Sequence, residues 1–485
     1  MTGLGWRHDA RRIATLAWPV LVGQLAVLAF STIDTVMVAR HSALDLAALA
    51  VGGAAYITVF IGLMGVVLAI SPITGQLYGA GRLHDAGQQL QQAIWLATLL
   101  SLLGCTLLLL PQPFLAISRA SPEVAAKVRA YLAALAVALP PALLFTAFRG
   151  FNTAVSRPKI VMVLQLGALL LKVPLNALLV FGATLPTPFG PWVIPSFGAL
   201  GCGIATATVM VLQLLAALWV LSRDPFYAPF ALRLPALPAP DRKSLAALLR
   251  LGVPMGLSIG IEVTGFTFMA LFIARLGATP VAGHQLAVNL VSVMFMVPLS
   301  LANATSTLVA QRIGANDPGD ARRLGWHGLQ LGIGLATLMG GTVYALRETI
   351  LRGYTHDSLI IAAAMPLLGW VMLFHIADAA QTLAAFILRA YRVATVPLVI
   401  YAVAIWGVGL GGGYVVAFDS FGLTPTALLG ARGFWSAATA GLSLAGFGLV
   451  AFLGWMLRER ELERQRERER EPAPLSRPAP AAAAH

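Results

Sequence analysis

One uncharged stretch decides the fold: residues 173–222 read "VPLNALLVFGATLPTPFGPWVIPSFGALGCGIATATVMVLQLLAALWVLS" and contain no Asp, Glu, Lys or Arg. A helix that crosses the hydrocarbon core of a membrane needs about 20 apolar residues. The segment "PTPFGPWVIP", residues 186–195, divides the stretch into two helix-length runs, because proline and glycine interrupt helices. The stretch therefore predicts two membrane spans joined by a loop.

The composition of the whole chain extends this interpretation. Of 485 residues, 58% are hydrophobic and 11% are charged, and the mean hydropathy is +0.81, whereas soluble domains are much less apolar and more charged. We therefore predict an all-α polytopic membrane protein with twelve transmembrane helices. The expected spans lie near residues 13–39, 46–72, 90–112, 122–148, 160–182, 198–222, 246–275, 281–310, 326–346, 358–388, 395–418 and 433–457.

The formal net charge of +13 follows an ordered distribution along the chain. If the N-terminus faces the cytoplasm, the inner segments hold 24 of the 33 Lys and Arg residues. This is the positive-inside pattern that orients membrane proteins, and it needs no nucleic acid to explain it. We expect a multi-pass protein of the cell inner membrane, with both termini in the cytoplasm and no nucleic-acid partner.

The chain also resembles itself at one constant offset, which places position 19 beside position 254 and position 86 beside position 321. Identical pairs recur along this alignment without a gap, including Arg40 with Arg275 and Gln76 with Gln311. Each half holds six predicted spans, so both halves enter the membrane from the same side. Parallel repeats about an axis along the membrane normal are a transporter architecture, with the binding site between the halves.

The repeat divides the chain into two six-helix lobes. We expect an N-terminal lobe at residues 1–222, a cytoplasmic linker at 223–244 and a C-terminal lobe at 245–457. Residues 458–485 form a tail in which alternating Arg and Glu give way to Pro and Ala. A solvated helix that passes into disorder is expected there.

Three acidic residues fall inside predicted spans and away from the span ends: Asp34, Glu262 and Asp378. A charge at the centre of the bilayer costs about 2.5–3.5 kcal/mol on insertion scales, so these acids should face a cavity, bind a cation or carry a proton. A structural alternative stays open for each of them. An acid can instead pair with Lys172, the one cation in the interior of a predicted span and away from its ends, or cap a broken helix.

Membrane acids of this kind suit antiport. A partly desolvated carboxylate holds a proton firmly, whereas a bound Na⁺ or organic cation favours its charged form. One site can therefore exchange a proton or Na⁺ for a cationic substrate, because occupancy by one disfavours the other. We expect Glu262 and Asp378 to share one site, since each alone would be an uncompensated charge.

Several motifs, in the same order along the chain, resemble one transporter family. They are "STIDTVMVAR" in span 1, "KVPLNALLVFG" in span 5, "IEVTGFTFMALFIARLGATPVAGHQ" across spans 7 and 8, and "FHIADAAQTLAAFILRAYRVATVP" in span 10. In these motifs the chain is similar, over residues 10–457, to the multidrug and toxic compound extrusion (MATE) family, NorM branch. The resemblance implies two lobes in a V that export cationic, amphipathic compounds in exchange for inward Na⁺ or H⁺.

The resemblance also implies roles for single residues. It places the carboxylate of the N-terminal lobe at Asp34, with Asn176 beside the same cavity. The coupling-ion site falls at Glu262 and Asp378, and no other cofactor is expected.

Two departures from the family pattern concern the coupling ion. Phe374 stands where the family commonly has a tyrosine that helps to hold Na⁺, and Val180 stands where some relatives have an acid. Because Na⁺ needs several oxygen ligands and a proton does not, we expect H⁺ in preference to Na⁺, with Na⁺ left open. A Na⁺ site would need a replacement oxygen, from Thr264 or a backbone carbonyl.

Gln285 and Asn289 lie four residues apart in span 8, on one helix face. They are expected to line the cavity, with hydrogen bonding between helices as the alternative. The expected partners are small cationic or amphipathic substrates and the lipid bilayer, and the chain is expected to act as a monomer.

Two other functions compete with efflux. A flippase for a lipid-linked or polyisoprenoid substrate, from a related superfamily branch, should line its cavity with basic residues that hold phosphate. Three interior acids against one lysine favour cations instead. A membrane enzyme should show metal-ligand spacing or a clustered acid and nucleophile, and the sequence shows neither. Asp34→Asn is expected to abolish dye efflux without lowering the amount of folded protein, because removing a charge from a desolvated position should be neutral or helpful to stability.

Overall fold

The computed structural model describes residues 3–118, 121–187, 190–232 and 238–470. Within them, sixteen α-helices follow in chain order: α1 (Gly3–His41), α2 (Ala43–Val67), α3 (Ile70–Gly79), α4 (Leu83–Leu109), α5 (Gln112–Ser118), α6 (Pro122–Ala154), α7 (Pro158–Phe181), α8 (Ala199–Arg223), α9 (Arg242–Ala274), α10 (Ala278–Gly314), α11 (Pro318–Ala345), α12 (Arg347–Tyr354), α13 (Ser358–Ala390), α14 (Thr395–Tyr401), α15 (Gly412–Ala417) and α16 (Ala431–Arg470).

The remaining regular elements are short. Two 3-10 helices cover Pro225–Phe230 and Thr426–Leu428, and a π-helix covers Ala402–Gly411. Strands β1 (Ala183–Thr187) and β2 (Gly190–Ile194) form an antiparallel hairpin between α7 and α8.

The membrane-spanning character of these helices follows from their length and composition. Eleven helical segments of the described chain are long and apolar enough to cross a membrane, and the pair α11 and α12, bent by 70°, makes a twelfth if it is one span. All twelve predicted spans fall on helices. The predicted all-α polytopic membrane fold is therefore confirmed, and a helix suits this setting because it satisfies its backbone polar groups internally.

The structure differs from the predicted spans in three places. The second span is broken, because α2 ends at Val67 and α3 begins at Ile70. The eleventh changes to a π-helix in its middle, and such segments are frequent at functional sites. The proline-rich loop of the opening stretch folds into the β-hairpin.

We call α1–α8 the N-lobe and α9–α16 the C-lobe. The predicted linker belongs in part to the N-lobe core, because Tyr227 and Phe230 of its 3-10 helix are buried there. The Tyr227 hydroxyl donates a hydrogen bond to Asn152 Oδ1 at 2.5 Å, and Arg157 pairs with Asp224 at 2.5 Å. In the tail, α16 continues to Arg470, while residues 471–485 lie outside the described part of the chain.

The two lobes cross where α3 and α10 end. At Gly79 an added Cβ would overlap the backbone oxygen of Gln311, and at Gly314 it would overlap that of Gln76. Only glycine permits so close an approach of two backbones. These residues are equivalent pairs of the sequence repeat, so the crossing is symmetric.

Two hydrogen bonds accompany this crossing. The Gln76 amide donates to the backbone oxygen of Ala390 at 2.7 Å, and the Gln311 amide donates to that of Ala154 at 2.7 Å. Ala390 and Ala154 are the last residues of α13 and α6, where backbone carbonyls lack partners within their own helix. Each lobe therefore caps a helix end of the other lobe.

Candidate functional site

The acid of the N-lobe lies in an ion pair. Asp34 is in the last third of α1, and its Oδ1 lies 3.1 Å from the Lys172 ammonium of α7. The Asn176 amide, one turn later on α7, donates to the same oxygen at 2.6 Å. The Asp34 side chain is 13% exposed, so the paired acid is still partly accessible.

Lys172 is itself completely buried. Its ammonium lies 3.3 Å from the backbone oxygen of Cys202, donates to the Thr206 hydroxyl, and sits 4.9 Å from the centre of the Phe30 ring. Of the alternatives left open for the three acids, pairing with Lys172 therefore applies to Asp34. The pair removes the basis for expecting Asp34→Asn to leave folding unaffected, because the substitution would leave the buried Lys172 ammonium without its counter-charge.

In the C-lobe, two acids and one arginine lie together. Asp378 on α13 is 3% exposed, and its carboxylate is close enough to that of Glu262 on α9 for the two to repel each other. Glu262 also interacts electrostatically with Arg389, near the end of α13. The structure thus brings together two acids that lie far apart in the sequence. Their role as an ion site stays a prediction.

Arg389 is a buried cation that interacts electrostatically with Glu262. Its side chain is buried, and its guanidinium lies 4.4 Å from the centre of the Phe386 ring. Tyr401, a buried residue at the end of α14, interacts electrostatically with Glu262, Asp378 and Arg389. The cluster therefore contains two carboxylates, one guanidinium and one phenol.

A small cavity adjoins Glu262. Its volume is about 40 Å³, and its walls come from α9, α13, the π-helix and α16, with Phe374, Ile405, Gly409 and Ala438 among the lining residues. A water molecule needs about 10–15 Å³ by this measure. The cavity therefore has room for a few water molecules beside the carboxylate, and not for an organic substrate.

The position of Phe374 bears on the coupling ion. Its ring packs edge-on against Phe266 at 5.6 Å and against Trp435 at 5.5 Å, so this wall of the cavity offers no oxygen. The Thr264 hydroxyl, suggested as a replacement oxygen, donates to the backbone oxygen of Gly260 at 2.6 Å, which leaves its lone pairs free, and the backbone oxygen of Ile261 accepts from the Trp406 indole.

The other predicted site residues differ in their surroundings. Gln285 and Asn289 are both exposed on α10, and neither side chain makes a hydrogen bond within the described residues. Their role in lining the cavity stays a prediction. His284, which precedes them, accepts a hydrogen bond from the Trp435 indole at 3.2 Å and is a satisfied interior residue.

Sequence reasoning missed three residues inside the membrane helices. Arg149 and Arg389 lie one position beyond the predicted ends of their spans, whereas α6 and α13 continue to Ala154 and Ala390. The count of three interior acids against one lysine was therefore wrong. A search for charges within one helical turn of each span end would have found both arginines. Tyr401 carried no signal of its own, since a tyrosine within an apolar run is ordinary.

Known proteins of similar sequence are multidrug resistance proteins. The chain is 39% identical over 449 residues to the probable multidrug resistance protein NorM of Aromatoleum aromaticum, covering 93% of this chain and 94% of that protein. It is 34% identical over 442 residues to the multidrug resistance protein PmpM of Pseudomonas aeruginosa, covering 91% and 90%.

Solved structures with the same fold are also known. The crystal structure of the eukaryotic MATE transporter AtDTX14 superposes with a TM-score of 0.81 at 18% identity, covering 94% of this chain and 99% of that one. The MatE family model matches the chain twice, at residues 19–178 and 254–415, once in each half of the repeat. With these two matches, and with relatives that are 39% and 34% identical along most of its length, the chain belongs to the MatE family.

Proposed function

We propose that the protein is a secondary active multidrug efflux antiporter, which exports cationic, amphipathic compounds in exchange for inward H⁺. It is a transporter and not an enzyme, and it crosses the cell inner membrane many times with both termini in the cytoplasm. It works as a monomer, and it needs no cofactor besides the coupling ion. The names of its relatives support efflux, and the charges of the C-lobe cluster support the coupling.

The observation that carries the proposal is the charge balance of that cluster. Glu262 and Asp378 contribute two negative charges and Arg389 contributes one positive charge, so the ionised cluster has a formal charge of minus one. Uncompensated charge inside a membrane protein is costly. One proton or one monovalent cation neutralises the cluster, and its release restores the charge. This is the behaviour that a coupling site needs.

Two features favour the proton over Na⁺. The apolar walls of the cavity supply few oxygen ligands, and Phe374 is one of these walls. The small volume, about 40 Å³, suffices for water that delivers a proton. For further neutral oxygens, Na⁺ would have to rely on the hydroxyls of Tyr401 and Thr382, which lie near the acids.

The N-lobe acid is proposed to bind the exported cation. Asp34 holds Lys172 through Oδ1, and its side chain is still 13% exposed. A cationic compound that reaches the accessible side finds a carboxylate to pair with. Gln285 and Asn289, exposed on α10, line the path of the substrate in this proposal.

A flippase for lipid-linked substrates is the rival function. The two additional arginines remove the simple charge count against it, but two of the three interior cations lie with acids. Lys172 pairs with Asp34, and Arg389 interacts with Glu262. Arg149 lies 3.2 Å from the sulfur of Met64 and is the cation that a phosphate group would have to use.

Dye efflux from proteoliposomes tests the proposal. The protein is reconstituted with a fluorescent cationic dye inside, and a proton gradient and a Na⁺ gradient are imposed separately. We expect the proton gradient to drive efflux at equal Na⁺ on both sides. A Na⁺ gradient at equal pH should leave the rate at background.

The outcomes separate the alternatives. Efflux that follows Na⁺ and survives collapse of the proton gradient would overturn proton coupling and leave antiport intact. Failure to export any cationic dye under either gradient, together with movement of a phosphate-bearing lipid that Arg149→Gln abolishes, would replace the antiporter with the flippase.

A further inference from the structure

We infer that the Lys172 ammonium is a resident cation: it occupies the cation position of the N-lobe site. It pairs with Asp34 between transport cycles, and the exported cation must displace it. The inference rests on the proposed function of Asp34 as the acid that binds substrate. It assigns to a lysine within the membrane the task of setting the affinity and selectivity of that acid.

The coordination of the ammonium is the first support. An ammonium has three hydrogens to donate, and three oxygen partners surround Lys172: the Asp34 carboxylate, the backbone oxygen of Cys202 and the hydroxyl of Thr206. With its side chain fully buried and Phe30 beside the charge, Lys172 occupies the position of a bound cationic ligand.

The distribution of these partners over different helices is the second support. Cys202 and Thr206 belong to α8, whereas Asp34 belongs to α1. When Asp34 binds another cation, Lys172 keeps two of its three partners on α8. The ammonium can therefore leave the acid without losing all its hydrogen bonds, which a buried charge could not tolerate.

The surroundings of Asp34 also provide for an incoming group. The Oδ1 atom of Asn176 is buried without a hydrogen-bond partner within the described residues. A donor that arrives beside Asp34 thus finds a second acceptor. Besides Lys172, the titratable groups near Asp34 include Cys202 on α8 and Tyr131 on α6, and among the described residues Lys172 is the cation that forms an ion pair with this acid.

This arrangement discriminates among cations. A small inorganic cation has to replace the ammonium at a site that offers one carboxylate and one amide oxygen, and hard cations need more oxygen ligands than this. An amphipathic organic cation gains apolar contacts elsewhere and can displace Lys172. The resident ammonium therefore excludes the abundant inorganic cations and admits the exported compounds.

Equilibrium binding of a cationic dye, ethidium, to the purified full-length protein tests the inference. We expect Lys172→Gln to bind ethidium at least about fivefold more tightly than the wild type, the low end of ordinary coupling between sites. Its efflux rate should fall, because release becomes slow. Lys159→Gln, which removes an exposed lysine of the same helix, should leave the affinity unchanged.

The inference and the proposed function fail in different ways. If Asp34→Asn binds ethidium as the wild type does, Asp34 is not the substrate acid and the proposed function loses its N-lobe site. If Asp34→Asn weakens binding but Lys172→Gln does not strengthen it, the resident-cation inference is overturned. Lys172→Met provides a second variant with an uncharged chain of similar length.

A measurement that leaves Lys172 in place covers the case in which neither variant folds. In the Glu262→Gln protein, ethidium binding is followed by calorimetry in two buffers of different ionisation enthalpy. An acid already ionised against Lys172 should release far less than one proton for each dye bound. Release of close to one proton for each dye would show that a proton, and not Lys172, holds Asp34, and would overturn the inference.

Discussion

The two acid sites of the molecule balance their charges differently. In the N-lobe, one carboxylate pairs with one ammonium at 3.1 Å, and the formal charge is zero. In the C-lobe, two carboxylates lie near each other, only Glu262 interacts with the Arg389 guanidinium, without direct ion-pair contact, and the ionised cluster keeps a negative charge. In the function proposed above, the first site exchanges one cation for another, whereas the second takes up a cation or a proton to become neutral.

The acids of the two sites do not occupy equivalent positions of the sequence repeat. At the constant offset of the repeat, Asp34 corresponds to Met269 and Glu262 corresponds to Val27. The glutamines and glycines of the crossing between α3 and α10 do correspond. The scaffold therefore kept its twofold pattern, while the ionisable residues occupy different positions in the two lobes and can serve different steps of one exchange.

The largest effect is expected from the C-lobe. Glu262→Gln removes the acid that interacts with both Asp378 and Arg389, so the repulsion between two carboxylates that favours proton uptake is lost. We expect proton-driven dye efflux in proteoliposomes to fall to background. Glu348→Gln, at an exposed glutamate of α12 that pairs with Arg352, is the matched control and should transport normally. Retained proton-driven efflux in Glu262→Gln would remove the charge-balance argument.

The next effect concerns the stability of the N-lobe site. Asp34→Asn leaves a buried ammonium without its counter-charge, and breaking a buried ion pair in this way costs about 3 kcal/mol. We expect a lower melting temperature in detergent as well as lost efflux. The double variant Asp34→Asn with Lys172→Met should recover the melting temperature and stay inactive.

The single and double variants also test whether the two acid sites balance their charges differently. A single Asp34→Asn variant that melts like the wild type would mean that the ion pair contributes nothing to folding. The N-lobe acid would then resemble those of the C-lobe, which have no direct ion-pair partner within the described residues.

A smaller effect is expected where the lobes are equivalent. Gln76→Leu and Gln311→Leu each remove a hydrogen bond to a helix-end carbonyl, worth about 0.5–1.5 kcal/mol. We expect similar losses of thermal stability from both, with a slightly larger loss for Gln311, which also donates to the Ser156 hydroxyl at 2.8 Å. Gln88→Leu, at an exposed glutamine of α4, is the control. Strongly unequal losses would contradict a symmetric crossing.

The smallest effect should come from Tyr401→Phe. If the C-lobe cluster carries a proton, the phenol acts as one neutral polar neighbour, and its removal should slow proton-driven efflux by about fivefold or less. Tyr344→Phe, at an exposed tyrosine of α11, is the control. Complete loss of transport in Tyr401→Phe would indicate that its oxygen is a required ligand, and would favour Na⁺.

The fold was predictable because hydrophobicity is a local property of the sequence. Runs such as residues 173–222 specify spans without any knowledge of their neighbours, and the constant offset between matching motifs exposes the repeat directly. The ends of the spans were less predictable. A helix continues past the apolar run where protein covers its end, as at Arg149 and Arg389, so counting charges within apolar runs alone misses interior cations.

The three acids could be predicted as candidate site residues from the sequence, but their charged partners could not. Asp34, Glu262 and Asp378 stand out because carboxylates are rare inside spans. Which cation each one meets depends on the rotation of its helix and on the packing of helices distant in sequence. Lys172 lies with Asp34 only because α7 packs against α1, and no sequence pattern within one span encodes that contact.

The crossing of α3 and α10 has a consequence for the ancestry of the chain. Gln76 of the first half reaches the end of a helix in the second, and Gln311 of the second half reaches the corresponding end in the first. Reciprocal contacts of this kind characterise an isologous dimer, in which the same patch on two subunits is self-complementary. The two halves thus meet as the subunits of a homodimer do, which fits descent from a duplicated and fused half-length gene.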